Sequence, residues 1–156
     1  TACKEGWHGD TSRMFKIGEI SIKAEKLIKT TYESMMKAID IVKDGIHLGD
    51  IGSTIQTHVE AKGFSVVQDF CGHGIGKNFH KEPNVLHYGE KGTGDKIKEG
   101  MIFTIEPMIN IGNYETKTLN DGWTAVTKDK SLSAQFEHTI GVTKDSCVIF
   151  TQPEKN

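Results

Sequence analysis

A chain of 156 residues, 36% hydrophobic and 26% charged, has the make-up of a soluble globular protein able to bury about 70% of its unfolded surface. Its formal net charge of −2, with both signs interleaved, excludes a nucleic-acid or membrane footprint, and no apolar run approaches the ~20 residues of a membrane span. The three cysteines, Cys3, Cys71 and Cys147, stand at no metal-ligand or redox spacing and carry no signal peptide ahead of them. They read as reduced thiols of a cytoplasmic protein.

In chain order, Thr1 to Ile17 holds Trp7, Met14, Phe15 and Ile17 with Gly6 and Gly9, the pattern of a short hairpin or strand pair. From Ser21 to Asp44, Leu27, Ile28, Tyr32, Met35, Met36, Ile39 and Val42 recur every three or four residues. That spacing predicts an amphipathic helix capped by Gly45, with Lys23, Lys26 and Lys29 on its solvated face. Asp50 is the expected N-cap of a second helix carrying Ile51, Ile55 and Val59 and stopping at Gly63. Phe64 to Phe70 reads as a strand, Gly72 to Gly100 as a glycine-rich stretch with little periodicity. Three strand-like runs follow at Met101 to Ile111, Trp123 to Thr127, and Ser133 to Val142 continuing to Phe150. Helices first and an antiparallel sheet after predict an α+β fold.

Two glutamates interrupt apolar runs. Glu106 lies in Met101-Ile102-Phe103-Thr104-Ile105-Glu106-Pro107-Met108-Ile109, and Glu137 in Ala134-Gln135-Phe136-Glu137-His138-Thr139-Ile140. A buried carboxylate has to be paired, metal-bound or shifted in pKa, unless it sits at a strand end and reaches water. Gly72-His73-Gly74-Ile75-Gly76 sets an imidazole between glycines directly after a strand, His80 follows, and Asp10 occupies a turn in His8-Gly9-Asp10-Thr11-Ser12. Carboxylates with one imidazole suit Mn, Co, Fe or Zn in a hydrolase, rather than a thiolate zinc site. With 21 acids and 7 histidines in the chain, composition alone does not select among these residues.

The stretches HGDTSRMF at 8–15, GFSVVQDFCGHGIGKNFHKEPNVLHY at 63–88, EGMIFTIEPM at 99–108 and DKSLSAQFEHTIGVT at 129–143 resemble the methionine aminopeptidases, which have the pita-bread fold. Only Pro107 to Phe136 separates Glu106 from Glu137, which matches the type I enzymes and leaves no room for the helical insertion of type II. The resemblance implies an aminopeptidase that removes the initiator methionine from nascent proteins, using two divalent ions and a metal-bridging water. It implies Asp10 and Glu137 as bridging ligands, His73 as the single imidazole ligand and Glu106 as a ligand and general base. His80 would contact the scissile carbonyl and donate to the developing oxyanion, and Phe79 and Trp123 would line the pocket for the methionine side chain. The implied partners are the N-terminal peptides of nascent proteins, met at the ribosome, with the enzyme a monomer.

The same resemblance places a further metal aspartate, and a substrate-contacting histidine, upstream of Thr1. A chain opening on Thr1-Ala2-Cys3 therefore reads as the C-terminal part of such an enzyme. Residues 1–156 form its single catalytic domain, with most of the first half of the pseudo-symmetric fold missing. The second metal position then lacks its own aspartate, apolar surface faces water, and activity is impaired. Two alternatives share the fold: an X-Pro aminopeptidase or prolidase with the same ligand types, and a non-catalytic binding protein that carries no metal.

Overall fold

A computed structural model of the chain describes residues 1–152. The opening segment forms the expected hairpin, β1 (Ala2–Lys4) against β2 (Trp7–Gly9). The apolar stripe then becomes helix α1 (Ile22–Asp40), begun by Ser21, whose hydroxyl accepts the Ala24 N–H at 3.2 Å. Leu27, Met35, Ala38 and Ile39 are buried, while Tyr32 is half exposed. The helix stops short of the expected Asp44. The N–H groups of Asp44 and Gly45 donate instead to the carbonyls of Thr143 and Ile97, and Gly45 turns at φ +87°.

Helix α2 (Leu48–Glu60) is capped by His47, one turn ahead of the expected Asp50. Asp50 is the acidic member of a capping box, its carboxylate accepting the His47 N–H at 2.8 Å. The helix ends as expected, with Gly63 at φ +76° closing the turn. Ile51, Ile55 and Val59 are fully buried against the α1 stripe, and each such side chain contributes about 2 kcal/mol of burial free energy.

The rest is antiparallel. In chain order the strands are β3 (Ser65–Val66), β4 (Gly72–Gly74), β5 (Lys81–Val85), β6 (Ile102–Ile105), β7 (Met108–Asn110), β8 (Thr116–Thr118), β9 (Ala125–Thr127), β10 (Ser133–Gln135), β11 (His138–Val142) and β12 (Cys147–Ile149). They make a five-stranded sheet, β12-β11-β6-β4-β5, a three-stranded sheet, β10-β7-β3, and the hairpin β8-β9. Helix α1 lies on β10 and β7, α2 on β3 and β5, and the core fills the space between. The α+β expectation holds: helices cover an antiparallel sheet.

Three local expectations are corrected. The strand foreseen at Phe64 to Phe70 shrinks to Ser65–Val66, and the glycine-rich stretch contributes β4 and β5 to the larger sheet. A Cβ at Gly72 would run into the Thr104 carbonyl and one at Gly74 into the Glu82 carbonyl. A strand that close to its neighbours has to be glycine, and it shows no side-chain alternation to read. Finally, the runs containing Glu106 and Glu137 each break at the glutamate and pass from one sheet to the other. Phe15, Ile17 and Ile22, around the connection from β2 to α1, are exposed.

Candidate metal centre

The break between sheets builds the site. Ile105 pairs with His138, and Met108 with Gln135, so the register runs through the break and sets Glu106 opposite Glu137. Thr104 and Thr139, also paired, lie two residues along on the same face. Two carboxylates directly opposite are destabilising unless something positive lies between them. Asp10 arrives from the end of β2. The chain beyond it bridges to Glu137 through Ser12, with the Glu137 N–H donating to the Ser12 carbonyl at 3.0 Å. The Thr139 hydroxyl accepts the Asp10 N–H at 3.0 Å and donates to the Asp10 carbonyl at 2.8 Å. His73, the middle residue of β4, donates its N–H to the Thr104 hydroxyl at 2.9 Å.

Asp10, His73 and Glu137, all buried, each offer a ligand atom within 4.8 Å of the others. His73 Nε2 lies 3.5 Å from Glu106 Oε1 and 3.9 Å from Asp10 Oδ2. Its Nδ1 faces the Gly74 carbonyl at 3.1 Å. A carbonyl only accepts, so Nδ1 holds a proton and Nε2 is the ring nitrogen that faces the carboxylates. The Thr104 hydroxyl donates to Glu106 Oε1 at 2.7 Å, while Oε2 receives a long 3.4 Å contact from the Gln135 amide.

The electrostatics are unbalanced as they stand. Glu137 Oε1 is buried with no hydrogen-bond partner. Burial, and then the charges of Glu106 and Asp10, push the Glu137 carboxyl up to about 8. Burial likewise lifts Glu106 to about 7, against the Thr104 hydrogen bond that lowers it. Three converging carboxylates, one oriented imidazole nitrogen and an orphaned oxygen fit a divalent cation, whose charge would favour the ionised forms. Small adjustments bring such atoms to metal–ligand distances of about 2.0–2.2 Å.

A cavity of about 480 Å³ opens onto the cluster, walled by Phe70, Cys71, Met108 and His80. The His80 ring stacks edge-on to His73 with centroids 4.3 Å apart, and Phe79 lies 3.9 Å from His80 and 5.6 Å from His73. Trp123 does not line this cavity. It stands 89% exposed at the tip of the β8-β9 hairpin, where Asp121 accepts the N–H groups of Trp123 and Thr124 and fixes the turn.

Sequence reasoning missed Thr104, Thr139 and His87. The two threonines had a signal, since Thr-Ile-Glu and Glu-His-Thr alternate with mirrored order across the pair. His87 had none. It is 2% exposed, burial pushes its pKa down to about 3, and its Nε2 accepts the Glu106 N–H at 3.1 Å.

Comparison with known proteins agrees with this geometry. The methionine aminopeptidase of Rickettsia prowazekii is 57% identical over 156 residues, covering 99% of this chain and 60% of that protein. Its crystal structure superposes with a TM-score of 0.94 at 58% identity, over 96% of this chain and 60% of that one. The prolidase of Pyrococcus furiosus, at 22% identity and a TM-score of 0.75 over 97% of this chain and 39% of that one, shares the fold. The chain thus spans about 60% of the length of that curated relative. The sequence model of metallopeptidase family M24 matches residues 1–144, a stretch that holds Asp10, His73, Glu106 and Glu137, and the chain belongs to that family.

Proposed function

We propose that the protein is a metal-dependent aminopeptidase that removes the N-terminal methionine from nascent proteins, acting within a catalytic domain that includes residues 1–156. The observation that carries this reading is the cluster of Asp10, His73 and Glu137, with Glu106 Oε1 3.5 Å from His73 Nε2 and Glu137 Oε1 buried without a hydrogen-bond partner. The similarity to the Rickettsia prowazekii methionine aminopeptidase supports the choice of substrate. Bound divalent ions (Co, Mn, Fe or Zn) would polarise the scissile carbonyl and lower the pKa of the attacking water.

The chain's own residues do the rest. His73 and the carboxylates of Asp10, Glu106 and Glu137 would hold the ions. Oε1 of Glu106 is engaged by Thr104 and faces His73, so Oε2, with its single long contact to Gln135, is the atom free to take a proton from the nucleophile. His80, at the cavity wall beside His73, donates to the oxyanion. Phe79 braces His80, and Phe70, Cys71 and Met108 supply a soft wall suited to a thioether.

The test is peptide release by the full-length protein loaded with metal. Methionine should leave a Met-Ala-Ser peptide while an Xaa-Pro peptide stays intact. Cleavage confined to Xaa-Pro would favour a prolidase, and a purified protein with no stoichiometric metal would favour a binding protein.

A further inference from the structure

Besides His73, His87 is the one buried histidine among the described residues, and the chemistry above gives it no part. It follows β5 by two residues, is 2% exposed, and its Nε2 lies 3.1 Å from the main-chain nitrogen of Glu106. An N–H only donates, so Nε2 is the acceptor and the ring is neutral. Glu106 needs such a partner because it stands in the break between β6 and β7. The ladder bonds of β6 end at Ile105, those of β7 resume at Met108, and Pro107 brings no N–H. The direction of the Glu106 carboxylate follows from how its main chain is held in that gap.

We infer that His87 is a positioning residue that aims Glu106. Its imidazole fixes the Glu106 main chain while the Thr104 hydroxyl fixes the carboxylate at Oε1. Together they hold the side chain at both ends, with Oε1 directed at His73 and Oε2 left available. An apolar residue would fill the same space at less desolvation cost, so the imidazole is explained by the acceptor it supplies. This rests on the reading of Glu106 as metal ligand and proton acceptor.

The experiment compares His87→Gln, His87→Asn, His87→Phe and Glu106→Gln in the full-length protein. In glutamine the amide oxygen can reach the place of Nε2; in asparagine the amide reaches only the place of Nδ1. Calorimetry gives the Mn²⁺ affinity, peptide assays give kcat and KM, and NMR gives the exchange rate of the Glu106 amide in metal-free protein. His87→Asn and His87→Phe should weaken Mn²⁺ binding roughly 10- to 100-fold, the size expected when an outer partner of a ligand is lost. They should also lower kcat more than KM changes, and speed Glu106 amide exchange about tenfold or more. His87→Gln should stay within a few-fold of wild type on all three. If the phenylalanine variant fails to fold, the asparagine and glutamine variants carry the comparison. Wild-type affinity and kcat in His87→Asn would overturn the proposal, and so would a glutamine variant as impaired as the asparagine one. A Glu106→Gln protein with unchanged metal affinity and turnover would instead remove the reading of Glu106 beneath it.

Discussion

Adding a divalent ion to the metal-free protein at pH 7 should expel protons from the two crowded glutamates. Glu106 is pushed up to about 7 and Glu137 to about 8, both chiefly by burial, so near neutrality the metal-free site is partly protonated. Metal coordination requires carboxylates. Both carboxyls should therefore give up protons to solvent on metal binding at pH 7, and the release should decline toward pH 9. Isothermal calorimetry of Mn²⁺ binding, repeated in buffers of different ionisation enthalpy, reads the protons directly. Release near zero at pH 7, or release that does not decline toward pH 9, would refute the claim that these two carboxylates share a buried, crowded site.

The same groups fix the pH dependence of stability. Their folded pKa values lie above the unfolded value of 4.5, so the native state binds more protons, and the metal-free protein should lose stability as pH rises from about 4.5 to about 8. Melting temperatures should fall across that window without metal and hold up with it; a metal-free melt that is flat or rising would count against the shifts. Glu137→Ala should abolish stoichiometric metal and methionine release, because Glu137 faces Asp10, His73 and Glu106 together, and near-normal turnover at wild-type metal content would refute the ligand set. Thr104→Val removes both the donor to Glu106 Oε1 and the acceptor of the His73 N–H. It should cost about 1–3 kcal/mol in a denaturant titration and weaken metal binding, whereas a neutral outcome in both would show that the relay carries no energy.

What could be read from the sequence was whatever side-chain periodicity or chemical anomaly expresses. The α1 stripe was plain because Leu27, Met35 and Ile39 repeat at helical spacing and are buried. Glu106 announced itself as a carboxylate in an apolar run. β4 was invisible, since a Gly-His-Gly strand has one side chain and its glycines are demanded by carbonyls distant in sequence. Asp50 was placed one turn late because a histidine cap gives a weaker local signal than an acid. Convergence of the four metal-binding candidates came from resemblance, for no local pattern says that residues 10, 73, 106 and 137 meet. Thr104 and Thr139 act through register, hinted at only by their mirrored order about the glutamates, and His87 acts through burial, which a single sequence does not display. Trp123 shows the converse: it lies at a position the resemblance marks for the pocket, yet its hairpin holds it in solvent.

The location of the centre follows from one structural decision, to let a pair of strands change sheets without changing register. Between Ile105–His138 and Met108–Gln135 the pairing direction is kept but the ladder is interrupted. That interruption frees main-chain groups at Glu106 and Glu137 to be taken up by His87 and Ser12. It also leaves two facing carboxylates beside Asp10 and His73. A slip of one residue would move both glutamates to the opposite face of the sheet, and the Thr104–Thr139 pair, with each hydroxyl also bound to a neighbouring element, opposes that slip. The cost of the crowded charges is therefore held by register and hydrogen bonds, so that a cation entering the site meets ligands already aimed at it and relieves their repulsion as it binds.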